Sequence, residues 1–413
     1  MMRKRVVVTG MGMVSPLGNS VDETYGNMIQ GKNGIARITF DDPSGWKVKL
    51  AGEVKNLDPE RVMDKKDIKR SDRVAVLAMV AADEAWRQSG LDAMTIDPYR
   101  LGTFVSSGIG GLNTILEEVG KCVTQGPDRI SPFFIPNSII NLIGGKIAMR
   151  YKAKGPNIPV VTACSAATNS IGEAFRHIRD GYIDAAFAGG AEAPVNALGI
   201  GGFANLRALA TTEDPDLASL PFDTRRSGFV IAEGAGVLIL ESLEHAVARG
   251  ATILAEVIGY GSTTDAYHMT APDPEAEGIE HCLKIALDDA DITPFEVGYI
   301  NAHGTATALN DPLETLGIKK AFGDAARTVA ISSTKSMTGH ALGAAGAIES
   351  ITVIKTLMEG IIPPTINLDD PDPECDLDYT PHHAVKKDVS VGININIGFG
   401  GQNAAVIFRK WLP

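Results

Sequence analysis

Short runs of apolar, mostly β-branched residues recur along the chain between longer stretches of helical period. The first part carries them at Arg5–Thr9, Gly102–Ser106, Pro159–Ala163, Ala185–Ala188 and Val237–Leu240; the second at Leu254–Ile258, Val297–Ile300, Val329–Ser332 and Ala404–Phe408. Each is read as a strand. Between them lie segments such as Val74–Ser89 and Ala166–Arg179, where Ile171, Ala174, Phe175 and Ile178 fall at i, i+3, i+4 and i+7 and share one helix face. Strands alternating with helices predict an α/β protein with buried sheets.

The pattern also repeats. Pro159-Val160-Val161-Thr162-Ala163-Cys164-Ser165 leads into a helix of small residues and then the apolar run near Ala185. Val329-Ala330-Ile331-Ser332-Ser333-Thr334-Lys335-Ser336 leads into the Ala/Gly-rich segment Ala341–Thr356 and then Ile361-Ile362-Pro363. Both read strand, polar elbow, small-residue helix, strand. Two similar halves, 1–250 and 251–413, packed around a central layer of helices are expected, divided after Arg249-Gly250. Close approach of such helices gives a place to the 44 glycines among 413 residues, about 11% against a usual ~7%.

Charge narrows the function. With 38 basic and 50 acidic residues the net charge is −12, which speaks against a general binder of nucleic acid or anionic membrane. Cys122, Cys164, Cys282 and Cys375 are far apart with no CxxC, so no disulfide or zinc framework is implied and a reducing compartment fits. Met1-Met2-Arg3-Lys4-Arg5 starts like a signal peptide, but the apolar stretch breaks at Thr9-Gly10-Met11-Gly12, which is read as the turn after a first strand. No run of about 18 uncharged apolar residues occurs, since even the region 185–206 holds Glu192. A soluble, cytoplasmic protein is expected.

Thr9-Gly10-Met11-Gly12 lacks the third glycine and later acidic residue of a dinucleotide site, and Gly108-Ile109-Gly110-Gly111 fails likewise. Cys164 is the sharper signal: it stands between a strand and a small-residue helix, where helix N-terminal N–H groups favour a thiolate. His303 in Asn301-Ala302-His303-Gly304-Thr305 and His340 in Thr338-Gly339-His340 also leave strands, the edge where α/β sites assemble. The other histidines read as surface or structural, with His268 ambiguous. Zinc is the rival for the cysteine and two histidines, but no close ligand pair or fourth partner is evident, so no metal or cofactor is expected. Gly398-Phe399-Gly400-Gly401 joins two strands, with one ring among glycines that can act as a lid.

Taken together, the motifs around Cys164, His303 and His340, with Arg5–Gly12, Ser107–Gly111, Ser131-Pro132-Phe133-Phe134, Ser333–His340 and Gly398–Gly401, resemble those of the β-ketoacyl-acyl carrier protein synthases, nearest the class II condensing enzymes of fatty acid synthesis. The resemblance spans essentially the whole chain. It implies a thiolase-like, five-layered αβαβα fold of two duplicated halves with mixed sheets, assembled as a homodimer. It implies an acyltransferase reaction: Cys164 takes an acyl group from its carrier protein, malonyl-carrier protein loses CO2, and the carbanion attacks the thioester. It further implies an oxyanion hole from the Cys164 and Phe399 N–H groups, and His303 and His340 as donors to the enolate. Lys335 would orient His340, with Asp311, Glu314 and Glu349 in support. Ile109 would line the acyl pocket with Phe133 or Phe134 of a partner subunit.

The acidic carrier protein conflicts with a net charge of −12 unless a basic patch exists. Asp64–Arg73 carries one, and by resemblance Lys66, Lys69, Arg70, Arg129 and Arg207 line the docking surface, although Asp128 stands where relatives often have a basic residue. Ile395-Asn396-Ile397 and Gln402 also depart from the usual gate-loop residues, which bears on acyl selectivity. A thiolase would need a second cysteine near the C-terminal glycines, an initiating class III synthase an asparagine in place of one histidine, and a silent chain-length subunit would lack Cys164. A ketosynthase of a type II polyketide or polyene pathway is the enzymatic alternative.

Overall fold

The computed structural model describes residues 3–40, 42–92 and 94–412. Among them, nine strands form one sheet: β1 Val6–Val14, β2 Leu101–Ser106, β3 Ala185–Glu192, β4 Gly234–Ser242, β5 Ala255–Thr264, β6 Tyr299–Asn301, β7 Ala330–Ser332, β8 Val391–Gly398 and β9 Gln402–Lys410. Their order across the sheet is β2-β3-β4-β1-β5-β9-β8-β6-β7. Outward from the β1–β5 junction the two directions repeat: an antiparallel pair, a second antiparallel pair, then a parallel one. On the second side β7 follows in parallel; on the first, a parallel bridge from Asn157 to Thr103 takes that place. The two expected sheets are thus one hydrogen-bonded surface, joined where Val6–Val8 pair with Ala255–Val257.

Four helices fix the layers. Helix α1, Arg73–Ser89, starts at Asp72, whose side chain accepts from the Val74 N–H at 3.0 Å, and stops at left-handed Gly90. It covers β1, β3 and β4, while α3, Glu277–Ala290, covers β5 and β9 on the other outer face. Between them, α2, Ala166–Arg179, and α4, Ala345–Glu359, pack on each other and on strands from both sides of the junction. The sheet therefore wraps around α2 and α4, giving helix, sheet, helices, sheet, helix. Each of the three gaps holds its own apolar cluster. The central one includes Ile171, Phe175, Leu238, Ile351 and Phe408.

Three sequence expectations are corrected. Thr9-Gly10-Met11-Gly12 is no turn, because β1 runs through it. The glycines are there because α1 lies directly on the strand: a Cβ at Gly10 would stand 2.1 Å from the Ala85 carbonyl oxygen, and one at Gly12 1.9 Å from that of Ala81. Pro159–Ala163 is no strand. The chain touches the sheet edge at Asn157 and through the Ile158 N–H to Thr103, then leaves it; Pro159 has no N–H to pair, and Val161 lies exposed. Finally, Ile361–Ile362 pairs with Val385–Lys386 in a separate ribbon, and the strand that occupies the place of β3 in the second half of the sheet is β8.

Candidate active site

Both central helices begin alike. Ala163 has φ +51° and Leu342 φ +44°, left-handed conformations that are strained for residues with a Cβ. A 3-10 turn follows each, Ala163–Ser165 and Leu342–Ala344, so Cys164 and Gly343 hold equivalent places. Their surroundings differ. The Gly343 N–H donates to the buried Glu192 carboxylate at 2.9 Å, which also accepts from the Gly108 N–H at 2.6 Å and the Ser107 hydroxyl at 2.5 Å. At Cys164 no side chain caps the turn or the helix, and this end of α2 opens on a cavity of about 330 Å³.

His303 follows β6, and Glu314 holds its loop: the carboxylate oxygens accept from the His303 and Gly304 N–H groups at 2.6 and 2.8 Å. Asp311 accepts from the Phe222 N–H at 2.8 Å. His340 follows the short helix Lys335–Thr338, donates its backbone N–H to the Val230 carbonyl at 2.7 Å, and sets its ring edge-on to Phe229. The two imidazoles meet at 5.2 Å and 88°. One reactive atom from each of Cys164, His303 and His340 lies within 4.8 Å of the others, and all three side chains are buried. Beneath the sulfur is an apolar cluster containing Ile109, Phe203, Phe229 and Leu342.

Burial sets the electrostatics. It pushes the Cys164 thiol up to about 12; the Lys335 charge and the Phe399 N–H, which reaches the sulfur, act in the opposite direction, while Glu192 adds to the rise. The resting group is therefore a thiol, not the thiolate expected at the elbow. Both imidazoles are held well below the ordinary histidine value, first by burial and then by the Lys335 charge, so both are neutral. Burial raises Glu314 to about 7 and Asp311 to about 6. The same three donors are the group that could hold a metal ion. The His303 Nδ1 is already faced by the Asn396 side-chain amide, which leaves its Nε2 for the cavity.

The residues singled out in the sequence are placed as follows. Lys335 is buried in an ion pair with Glu349, not turned to His340, and acts on both imidazoles through its charge. Phe399 lines the cavity at the β8–β9 turn, its ring 6.2 Å from that of Phe203. Arg207 stands exposed at the cavity wall. Lys66, Lys69 and Arg70 are exposed on and just after the helix Lys65–Lys69, with the Arg70 guanidinium 5.2 Å from the Phe133 ring centroid. Arg129 is exposed on the turn Pro127–Arg129. Phe133 and Phe134 do not line this chain's cavity. His268 is exposed, its Nδ1 accepting from the Thr270 and Ala271 N–H groups at 3.1 and 3.2 Å. Sequence reasoning missed Glu192, Thr305, Thr307 and Asn396. The signal for Asn396 was the alternation Ile393-Asn394-Ile395-Asn396-Ile397, isoleucines to the outer core and asparagines inward.

The family description "Beta-ketoacyl synthase, N-terminal domain" matches residues 3–246, and "Beta-ketoacyl synthase, C-terminal domain" matches residues 254–369. The chain belongs to the beta-ketoacyl synthase family. Among its relatives, a Coxiella burnetii protein named 3-oxoacyl-[acyl-carrier-protein] synthase 2 is 48% identical over 411 residues, covering 99% of each chain. A Staphylococcus aureus protein of the same name is 48% identical over 408 residues, again covering 99% of each. Similar solved structures include a beta-ketoacyl synthase from Burkholderia phymatum, with TM-score 0.92 and 33% identity over 99% of this chain and 100% of that one. Another is a type II polyketide ketosynthase in complex with its acyl carrier protein and bound to a hexaketide, with TM-score 0.92 and 37% identity over the same shares. The mixed α/β, thiolase-like fold and the condensing-enzyme class expected from the motifs agree with these likenesses.

Proposed function

We propose that the chain catalyses the decarboxylative condensation of an acyl group with malonyl-acyl carrier protein, giving β-ketoacyl-acyl carrier protein and CO2 in fatty acid elongation. The observation that carries this is a thiol and two neutral imidazoles with reactive atoms within 4.8 Å, at an uncapped helix N-terminus. In the transfer step Cys164 sulfur attacks the acyl thioester of the carrier protein. Its proton is lost to solvent and the departing carrier thiolate takes one up from solvent, while the emerging sulfur charge is met by the helix terminus and the Phe399 N–H. Malonyl-carrier protein then loses CO2 as its carboxyl–α-carbon bond breaks. The electron pair moves onto the thioester oxygen, which accepts from the Nε2–H groups of His303 and His340. The enolate carbon attacks the acyl-Cys164 carbonyl, the oxyanion accepts from the Cys164 and Phe399 N–H groups, and the released thiolate takes a proton from solvent.

The acyl chain would lie in the apolar cluster beneath Cys164, and acyl carrier protein would dock on Lys66, Lys69, Arg70, Arg129 and Arg207. We read the chain as two duplicated halves, 1–250 and 251–413, working in the cytoplasm as a homodimer. The exposed apolar side chains of Phe133, Ile135, Ile139, Ile158 and Val161, each 40–59% exposed, support that assembly, which would bring a partner's Phe133 or Phe134 to the acyl pocket. A second reading, a polyketide or polyene ketosynthase, rests on Gln402 and the Ile395-Asn396-Ile397 sequence; the 48% identity to proteins named 3-oxoacyl-[acyl-carrier-protein] synthase 2 favours the first. Intact-mass measurement after incubation with acyl-carrier proteins of graded length tests both. One acyl group per chain is expected on the native protein and none on Cys164→Ala, which remains folded and gives no condensation product. Full elongation by Cys164→Ala would remove the central assignment.

A further inference from the structure

A carboxamide offers one accepting oxygen and two donating hydrogens, so a buried asparagine with known neighbours has a determined orientation. Asn396, fully buried on β8, is such a case. Its Oδ1 receives the Thr168 hydroxyl and, at 3.1 Å, the side-chain N–H of Asn394, itself turned by the Gly346 carbonyl at 2.8 Å and the Ser350 hydroxyl at 3.1 Å. Its Nδ2 therefore faces the other way. One hydrogen goes to the Glu349 carboxylate at 2.7 Å, and the other points to the His303 Nδ1 at 3.3 Å.

We infer that Asn396 is the positioning residue that holds His303 in its Nε2–H tautomer. A ring nitrogen facing an N–H cannot carry a proton of its own, so the single proton of the neutral imidazole sits on Nε2, the nitrogen left for the cavity. That tautomer is the one able to donate to a thioester oxygen. The same amide grips Glu349, the partner of Lys335, so one side chain sets the direction of the donor and anchors the cation that keeps the ring neutral. Ring and ion pair are then fixed to β8 and α4 through Asn394, independently of substrate.

The inference rests on the role given to His303 above, and its first measurement needs no reaction. With 13C,15N-histidine incorporated, and His303→Gln used to assign the signal, the resting protein is expected to show His303 neutral and protonated at Nε2. Asn396→Asp keeps the shape but turns the donor into an acceptor, and is expected to move the proton to Nδ1. Asn396→Leu, with neither, is expected to give a mixture. In both variants malonyl decarboxylation is expected to fall on the order of tenfold more than acylation of Cys164. A wild-type ring protonated at Nδ1, an unchanged tautomer in both variants, or equal loss in the two half-reactions would overturn the inference. If instead the tautomer behaves as stated while His303→Gln decarboxylates normally, the role of His303 falls and the positioning by Asn396 stands.

Discussion

Cys164 and the two histidines were legible in the sequence by what flanks them, an elbow of small residues after each apolar run; their protonation was not. The thiol's rise to about 12 comes first from burial, and the depression of both imidazoles from burial and then from the charge of Lys335, which stands close before His340 in sequence but far from His303. A neutral imidazole donates through one N–H and is a poor acid, which suits an enolate oxygen better than protonation of a leaving group. We therefore expect His303→Ala and His340→Ala each to slow malonyl decarboxylation by roughly 100-fold or more, with a smaller loss in acylation of Cys164. Release of 14CO2 from malonyl-carrier protein and single-turnover acylation separate the two. The reverse pattern would exchange the assigned roles.

The elbows are the elements on which the site depends, and their strain is the part that hydrophobic periodicity could not reveal. Pattern located α2 well because Ile171, Ala174, Phe175 and Ile178 all face the central core. It failed at Pro159–Ala163, where β-branched residues serve an uncovered surface, and at Gly10 and Gly12, where glycine means a helix lying on a strand. Nothing local marks Ala163 as left-handed at φ +51°; the turn that holds it packs against α2 and β8. A β-branched side chain tolerates this conformation poorly, so Ala163→Val is expected to cost about 1–2 kcal/mol of stability or to swing Cys164 out of line. Thermal unfolding read beside the rate of Cys164 alkylation checks this. A variant unchanged in both would show that the turn is not held at a fixed geometry.

At the scale of the molecule, duplication places the two halves of the chemistry face to face. The turn ahead of α2 brings the Cys164 thiol, and the elements after β5 bring both imidazoles together with Asp311, Glu314 and Glu349. The repeat was visible as two elbows, but its register was not, because β8 lies far along the chain and the intervening Ile361–Ile362 has the look of a strand. Burying charge at this seam makes stability depend on pH in two opposed ways. His303 and His340, depressed in the folded state, contribute stability above the ordinary histidine value that is lost as pH falls through their folded values. Glu314 and Asp311, raised to about 7 and about 6, act in the opposite sense: their contribution is full below the ordinary carboxyl range and is lost as pH rises through those values. Glu314→Gln removes one of these groups. Relative to the variant, the native protein is then expected to lose on the order of 3 kcal/mol of unfolding free energy between pH 4.5 and pH 7.5, the span from the ordinary glutamate value of 4.5 to the folded value of about 7. Urea titrations of both proteins at half-unit pH steps measure it. A difference that stays level across that range would mean that Glu314 is ionised in the fold throughout, held by the two N–H groups of the His303 loop.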